Sequence, residues 1–149
     1  MEDRFREFTF LISKIMRNIH RIKAEEMTEL GLKSAYVSCL YYLFGQEEGL
    51  TAKELCDLCG EDKSAISRSL DYLETNGYVY CESQSAKRYR APVRLTEKGR
   101  QTGAYISEKV KAVTDAAGRD LSEDEREMLY AGLNRINKNL EKICEQYGG

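Results

Sequence analysis

The stretch from Thr51 to Gly77 constrains this chain most, because it is punctuated by four helix signals at close spacing. Thr51-Ala52-Lys53-Glu54 is a capping box: the threonine hydroxyl accepts from a free N–H of the first turn, and the glutamate reaches back to the threonine N–H. It opens a short helix from Ala52 to Cys59, with Leu55, Cys56, Leu58 and Cys59 available to a core. Gly60 stops this helix, and Asp62 is placed to cap the next one. That next helix spans Lys63 to Thr75 and ends at Asn76-Gly77, where glycine accepts the left-handed backbone of a C-terminal cap. Two short helices either side of a glycine-containing turn form the helix-turn-helix pattern.

The flanks complete the architecture. Tyr78 to Glu82 reads as a strand, Ser83 to Arg88 as a polar, basic turn, and Arg90 to Leu95 as a second strand carrying Val93 and Leu95 on one face. Pro92, the only proline, makes that second strand an edge strand. Such a hairpin is a wing. Upstream, Phe5, Phe8, Ile12, Ile15, Ile19 and Ile22 recur at helical spacing in a long first helix, widened by Met16 and Met27 and closed by Gly31. A tyrosine-rich helix follows from Leu32 to Phe44. Downstream, Thr96-Glu97 opens a helix running to about Gly118, with Ile106, Val110, Val113 and Ala117 on one side. Ser122 to Glu125 is a second capping box, opening a last helix with Leu129, Leu133, Ile136, Leu140 and Ile143 on its stripe.

The expected fold is mainly α (α+β): a winged helix-turn-helix with long N- and C-terminal dimerisation helices and a two-stranded wing. A length of 149 residues suits one domain. Residues 32–99 form the winged helix-turn-helix, and 1–31 with 100–149 form the dimerisation helices. The terminal stripes hold more apolar surface than one small core needs, so a homodimer is expected.

Bulk charge is uninformative about nucleic acid, since the formal net charge is −2. Local charge is informative. Between Gln84 and Arg100 lie Lys87, Arg88, Arg90, Arg94, Lys98 and Arg100 against a single acid, Glu97. Clustered cations beside a helix-turn-helix supply the phosphate attraction that double-stranded DNA binding needs. On the Lys63–Thr75 helix, Ile66, Ser69, Leu70 and Leu73 point one way, and Ser64, Ser67, Arg68, Asp71 and Thr75 the other. The first set docks on a core. The second suits a helix entering a major groove by its N-terminal end, with Lys63, Ser64, Ala65, Ser67 and Arg68 as the candidate contacts. Arg68 is suited to a guanine edge or a phosphate, Ser64 and Ser67 to phosphates or bases. In the wing the candidates are Lys87, Arg88, Arg90 and Arg94.

The remaining chemistry is sparse. Five cysteines (Cys39, Cys56, Cys59, Cys81, Cys144) form an odd set without secreted-scaffold spacing, and read as free thiols of a reducing compartment. Cys56-x-x-Cys59 lacks the second pair or histidine of a zinc site, so both are assigned to packing and no metal is expected. Cys81, beside the basic wing, is the candidate redox thiol. Tyr36, Tyr41 and Tyr42 are candidates for a ligand pocket, against the blander reading that they pack on neighbouring helices. His20, the only histidine, lies near the first helix's stripe and is read as an interface or surface residue. With one histidine and no phosphate loop, nucleophile elbow or carboxylate pair, no catalytic residue, cofactor or enzyme activity is expected. The N-terminus lacks a signal sequence and the longest apolar run, Tyr36 to Phe44, is about half a bilayer span, so a cytoplasmic location without membrane partners is expected. The competing reading is a winged-helix adaptor that binds protein without specific DNA readout.

The segment LTAKELCDLCGEDKSAISRSLDYLETNGYVY, followed at a hairpin's distance by VRLTEKG, resembles the MarR (multiple antibiotic resistance regulator) family. Three motifs carry the resemblance in order: the turn Cys59-Gly60-Glu61-Asp62-Lys63-Ser64, the ending Leu73-Glu74-Thr75-Asn76-Gly77, and Leu95-Thr96-Glu97-Lys98-Gly99 after the wing. The resemblance covers essentially the whole chain. It implies a homodimer whose first and last helices interlock, two winged domains reading an inverted repeat, and a repressor released by a small-molecule effector or an oxidant. Family wings carry Asp-x-Arg ahead of the Leu-Thr pair. Here Lys87 and Tyr89 stand in those places, with Arg88 and Arg90 alongside as alternative wing-tip residues. Cys81 falls where relatives often have arginine.

Overall fold

The capping signals form as the sequence spells them. In a computed structural model, which describes residues 3–82 and 90–148, Thr51 Oγ1 accepts the Glu54 N–H at 3.1 Å, and Glu54 Oε2 accepts the Thr51 N–H at 3.0 Å. Ser122 and Glu125 repeat the exchange at 3.2 and 3.0 Å. The elements in chain order are α1 (Arg4–Glu26), a 3₁₀ turn (Thr28–Leu30), α2 (Ser34–Leu43), α3 (Ala52–Cys59), α4 (Lys63–Thr75), β1 (Val79–Cys81), β2 (Val93–Leu95), α5 (Glu97–Ala117) and α6 (Glu123–Glu145).

The bounds of α3 and α4 coincide with the capping signals, because each end is set by a local hydrogen bond. Elsewhere tertiary packing shortens the elements. The first helix stops at Glu26 rather than Gly31: Met27 is buried in the core, and the chain turns there to put it in. The strands shrink to three residues each, paired antiparallel in the register Val79–Leu95, Tyr80–Arg94 and Cys81–Val93. Pro92 precedes β2, where its missing N–H costs no ladder bond. The far edge of β2 takes an isolated bridge with Leu50, in which Leu50 and Val93 exchange both backbone bonds at 3.0 and 2.8 Å.

Contacts divide the chain into two units, Met1–Val110 and Lys111–Gly149. The first holds a core in which Val37, Cys39, Leu40 and Leu43 of α2 meet Leu55, Ile66, Leu73, Val79, Val93, Leu95 and Ile106. Leu58 does not join it and is 45% exposed. At about 100° per residue it lies on the flank of α3 away from the Ala52, Leu55 and Cys59 face. In the second unit, Arg126 donates to the Gly118 carbonyl at 2.7 Å and so ties the start of α6 to the end of α5.

One joint organises the winged half. Thr96 Oγ1 donates to the Gly77 carbonyl at 2.6 Å, with the Tyr78 carbonyl 3.1 Å away, and accepts the Gly99 N–H at 3.1 Å. The threonine thereby caps α5 and clamps the exit of α4. Gly99 is required by close approach: a Cβ there would lie 2.0 Å from the Tyr78 carbonyl oxygen. Backbone cannot yield as a flexible side chain would. Gly99→Ala is therefore expected to lower unfolding free energy by about 2 kcal/mol or more, by overpacking against backbone, measured as a shifted urea midpoint. An unchanged midpoint would show that the joint has slack.

Candidate nucleic-acid interface

The amphipathicity of α4 is realised residue by residue. Ile66, Ser69 and Leu73 are buried, Leu70 packs against the core, and Ser64, Ser67, Arg68, Asp71 and Thr75 are exposed. Asp62 Oδ1 accepts the Ala65 N–H at 2.7 Å, so the N-terminal turn is capped by a side chain lying outside the helix. Ala65 is half-buried and its N–H is spent on that cap. Ser64, Ser67 and Arg68 remain on one open face, and Arg68 forms no ion pair among the described residues.

A support for this face went unread in the sequence. Tyr72, on the Arg68 side of α4, stacks on Tyr36 of α2 with ring centroids 4.2 Å apart and planes 9° apart. Lys33 stands over the outer Tyr36 ring at 6.0 Å. Two tyrosines 36 positions apart give no sequence signal of contact. Tyr36 thus packs on α4. Tyr41 and Tyr42 meet edge to face at 5.1 Å and pack against the core, and burial raises the Tyr42 phenol above its usual range. Three cavities among the described residues are lined by other side chains. One, of about 240 Å³, lies between α4 and the strands, bordered by Lys63, Ser67, Asp71, Tyr80 and Cys81.

The basic cluster read from residues 84–100 divides in the structure. Lys87 and Arg88 lie outside the described residues. Arg90 is exposed. Arg94 is not an open wing cation: its side chain is only 29% exposed, and its guanidinium pairs with Glu82 at 3.3 Å and Glu48 at 3.9 Å. Lys98 donates to the Asn76 carbonyl at 2.9 Å and lies 4.3 Å from the Tyr78 ring centroid. Arg100 donates to the Leu95 carbonyl at 3.2 Å and to Glu97 at 2.6 Å, holding the Glu97 carboxyl below the usual carboxylate range. Three of the six cations thus brace the fold.

The thiols also depart from expectation. Cys81 is half-buried in the wall of the α4 cleft rather than exposed beside the wing. Cys56 and Cys59 are both half-buried and packed against the core, as the packing assignment requires, and Cys39 of α2 is fully buried within it. Among the described residues, no three histidine, cysteine or acidic side chains are grouped to hold a metal ion. His20 is exposed on α1. No helix among the described residues is long and apolar enough to cross a membrane.

Helix-turn-helix, two-stranded wing and capped recognition helix define the chain as a winged helix-turn-helix protein. Residues 30–88 match the model of the MarR family. Over 145 residues the chain is 23% identical to YybA, an uncharacterized HTH-type transcriptional regulator of Bacillus subtilis (strain 168), covering 97% of this chain and 93% of that one. The crystal structure of a MarR family transcriptional regulator from Silicibacter pomeroyi superposes with a TM-score of 0.77 at 29% identity, covering 88% of each chain. S. aureus MepR, solved as a DNA complex, shares the fold with a TM-score of 0.77 at 20% identity, covering 89% of this chain and 96% of that one. In the segment that the family model matches and in its fold, the chain is similar to MarR family transcriptional regulators.

The Arg94 pairing makes a prediction independent of any ligand. A double-mutant cycle of Arg94→Met and Glu82→Gln, read by urea denaturation, is expected to give a coupling of about 0.5–1 kcal/mol, the range for a half-exposed pair. Zero coupling would return Arg94 to the pool of cations open to DNA.

Proposed function

We propose that this regulator is a sequence-specific DNA-binding repressor that reads an inverted-repeat operator as a homodimer and is released by a small ligand or an oxidant. The observation that carries the reading is the open Ser64, Ser67 and Arg68 face on a helix whose opposite face is locked into the core. A reading helix must hold its side chains in fixed register with base edges, and both caps and the Tyr72 stack supply that rigidity. MepR, which shares the fold, is seen in a complex with DNA, and this supports DNA as the partner here.

The homodimer reading rests on exposed apolar stripes. Phe5, Phe10, Leu11, Ile15 and Ile19 on α1, and Met128, Leu129, Leu140 and Ile143 on α6, all stand open in the single chain. Contiguous apolar surface of this kind marks an interaction face. Such a protein works in the cytoplasm, where the DNA is. Leu140→Glu is expected to give aggregated or unfolded protein. A monomer of the unmutated chain, stable at micromolar concentration in sedimentation velocity, would refute the dimer.

The helix and the wing are assigned different tasks. Genomic fragments retained by the pure protein supply the operator. Arg68→Ala is expected to cost about 1–3 kcal/mol per site on that operator and much less on scrambled DNA, as for a base-reading arginine. Arg88→Ala with Arg90→Ala is expected to weaken both DNAs and flatten the salt slope by about one unit per lost phosphate contact. Isotherms at several salt concentrations separate the two. Equal weakening of both DNAs by Arg68→Ala would make Arg68 a phosphate clamp. Failure to retain any DNA would favour the protein-binding adaptor.

A further inference from the structure

The open face of α4 carries one group that the tasks of helix and wing leave unused. Asp71 is exposed, and it forms no hydrogen bond or ion pair among the described residues. At about 100° per residue it falls between Ser67 and Arg68 around the helix axis, on the side away from the buried Ile66 and Leu73. It lies about 10 Å beyond Ser64 along that axis, within the length of one half-site. Aspartate is a weak helix former away from the first turn, and the capping acid of α4 is Asp62 instead. Neither the formation of α4 nor its packing therefore uses the Asp71 carboxylate.

A carboxylate set into a DNA groove is selective about what lies beneath it. It is an acceptor only, phosphates line both walls, and an acceptor stripped of water without a donor is destabilising. The donors on the floor of the major groove are the amino groups of cytosine and adenine. The adenine amine stands between two acceptors, N7 of its own ring and O4 of the paired thymine. A carboxylate bonded to that amine turns its second oxygen against one of them. The cytosine amine has an acceptor, guanine O6, on one side only, and the C5–H edge on the other. Cytosine is therefore the base that fits the carboxylate. Arg68, alongside on the same face, carries donors suited to guanine O6 and N7, so the two side chains seek opposite chemistry and do not compete.

We propose, on the regulator reading above, that Asp71 is a specificity-determining residue: its carboxylate accepts a hydrogen bond from the N4 amino group of one cytosine in each half-site and repels DNA that lacks this donor. Its role is opposite in sign to that of the wing cations. Asp71 lowers affinity for DNA in general, and the cytosine offsets that loss at the correct site. Discrimination then comes from rejecting wrong sequences as well as from attraction to the right one. In a homodimer the same cytosine recurs in both halves of the inverted repeat.

The test compares the unmutated chain, Asp71→Ala and Asp71→Asn on a pool of duplexes of randomised sequence, and sequences what each retains. The unmutated chain should fix one C·G pair per half-site that Asp71→Ala no longer selects, with the other positions kept. Asp71→Asn should move that position toward adenine on the same strand, because an amide spans adenine N6 and N7. Both variants should bind scrambled DNA more tightly than the unmutated chain. Replacing the selected cytosine by a pyrimidinone base that lacks only the amino group should weaken the unmutated chain about tenfold and leave Asp71→Ala unaffected. Urea midpoints of all three proteins should agree, since Asp71 has no partner in the fold. Identical base preferences for the unmutated chain and Asp71→Ala, a relaxed position that is not cytosine, or equal sensitivity of both to loss of the amino group overturns the assignment. So does loss of all DNA binding by Asp71→Ala, or a midpoint lowered in both variants, either of which makes Asp71 a structural residue. An unmutated chain that retains DNA without preference overturns the sequence-specific reading, and Asp71 falls with it. A preference that survives intact in Asp71→Ala overturns Asp71 alone.

Discussion

The winged half depends on the Thr96 joint. One hydroxyl clamps the exit of α4 at Gly77 and Tyr78, caps α5 at Gly99 and lies at the end of β2. Helix, strand and following helix are thereby fixed at a single point, with the Lys98 ammonium adding a bond to the Asn76 carbonyl. The Leu-Thr-x-x-Gly motif acquires a physical meaning in this arrangement. Leu95 anchors the core, Thr96 clamps, and Gly99 leaves room for a carbonyl that any side chain would strike. Without the joint the recognition helix would still be a helix, but its angle to the wing would be unset.

Charge in this protein is divided between folding and recognition. Arg94, Lys98 and Arg100 look equivalent to Arg90 on a charge plot, yet each is engaged with carboxylates or carbonyls of the same unit. A cation already bonded to a carboxylate displaces fewer counterions from DNA, so its contribution to a salt-dependent affinity is small. The open face of α4 carries little net charge, Arg68 and Asp71 offsetting each other among small polar side chains. Discrimination by such a face comes from hydrogen-bond geometry, which needs a rigid helix more than a strong field. The caps at Asp62 and Asn76 and the Tyr36–Tyr72 stack provide that rigidity.

The legible parts of the chain were those governed by neighbours in sequence. Both capping boxes, the Asp62 cap, the bounds of α3 and α4 and the two faces of α4 follow from bonds and angles spanning three or four residues. Misreadings arose where a distant partner decides. Met27 ends α1 early because the core claims it. Arg94 looks like an open wing cation in the sequence, since nothing local reveals Glu48 and Glu82 converging on it. Cys81 has basic neighbours in sequence, but β1 sets it half-buried in the wall of the α4 cleft.

The sequence by itself determined where α3 and α4 begin and end and where α6 begins, which stripe of each is apolar, and that a turn and a hairpin follow in helix-turn-helix order. These are matters of local hydrogen bonding and of a repeat of 3.6 or 2 residues, both written into a few consecutive side chains. Tertiary structure alone decided which cations stay open, which tyrosines stack and which cysteines are buried. Those outcomes depend on packing between elements far apart in the chain, and a charge, a ring or a thiol carries no local mark of the partner it will find.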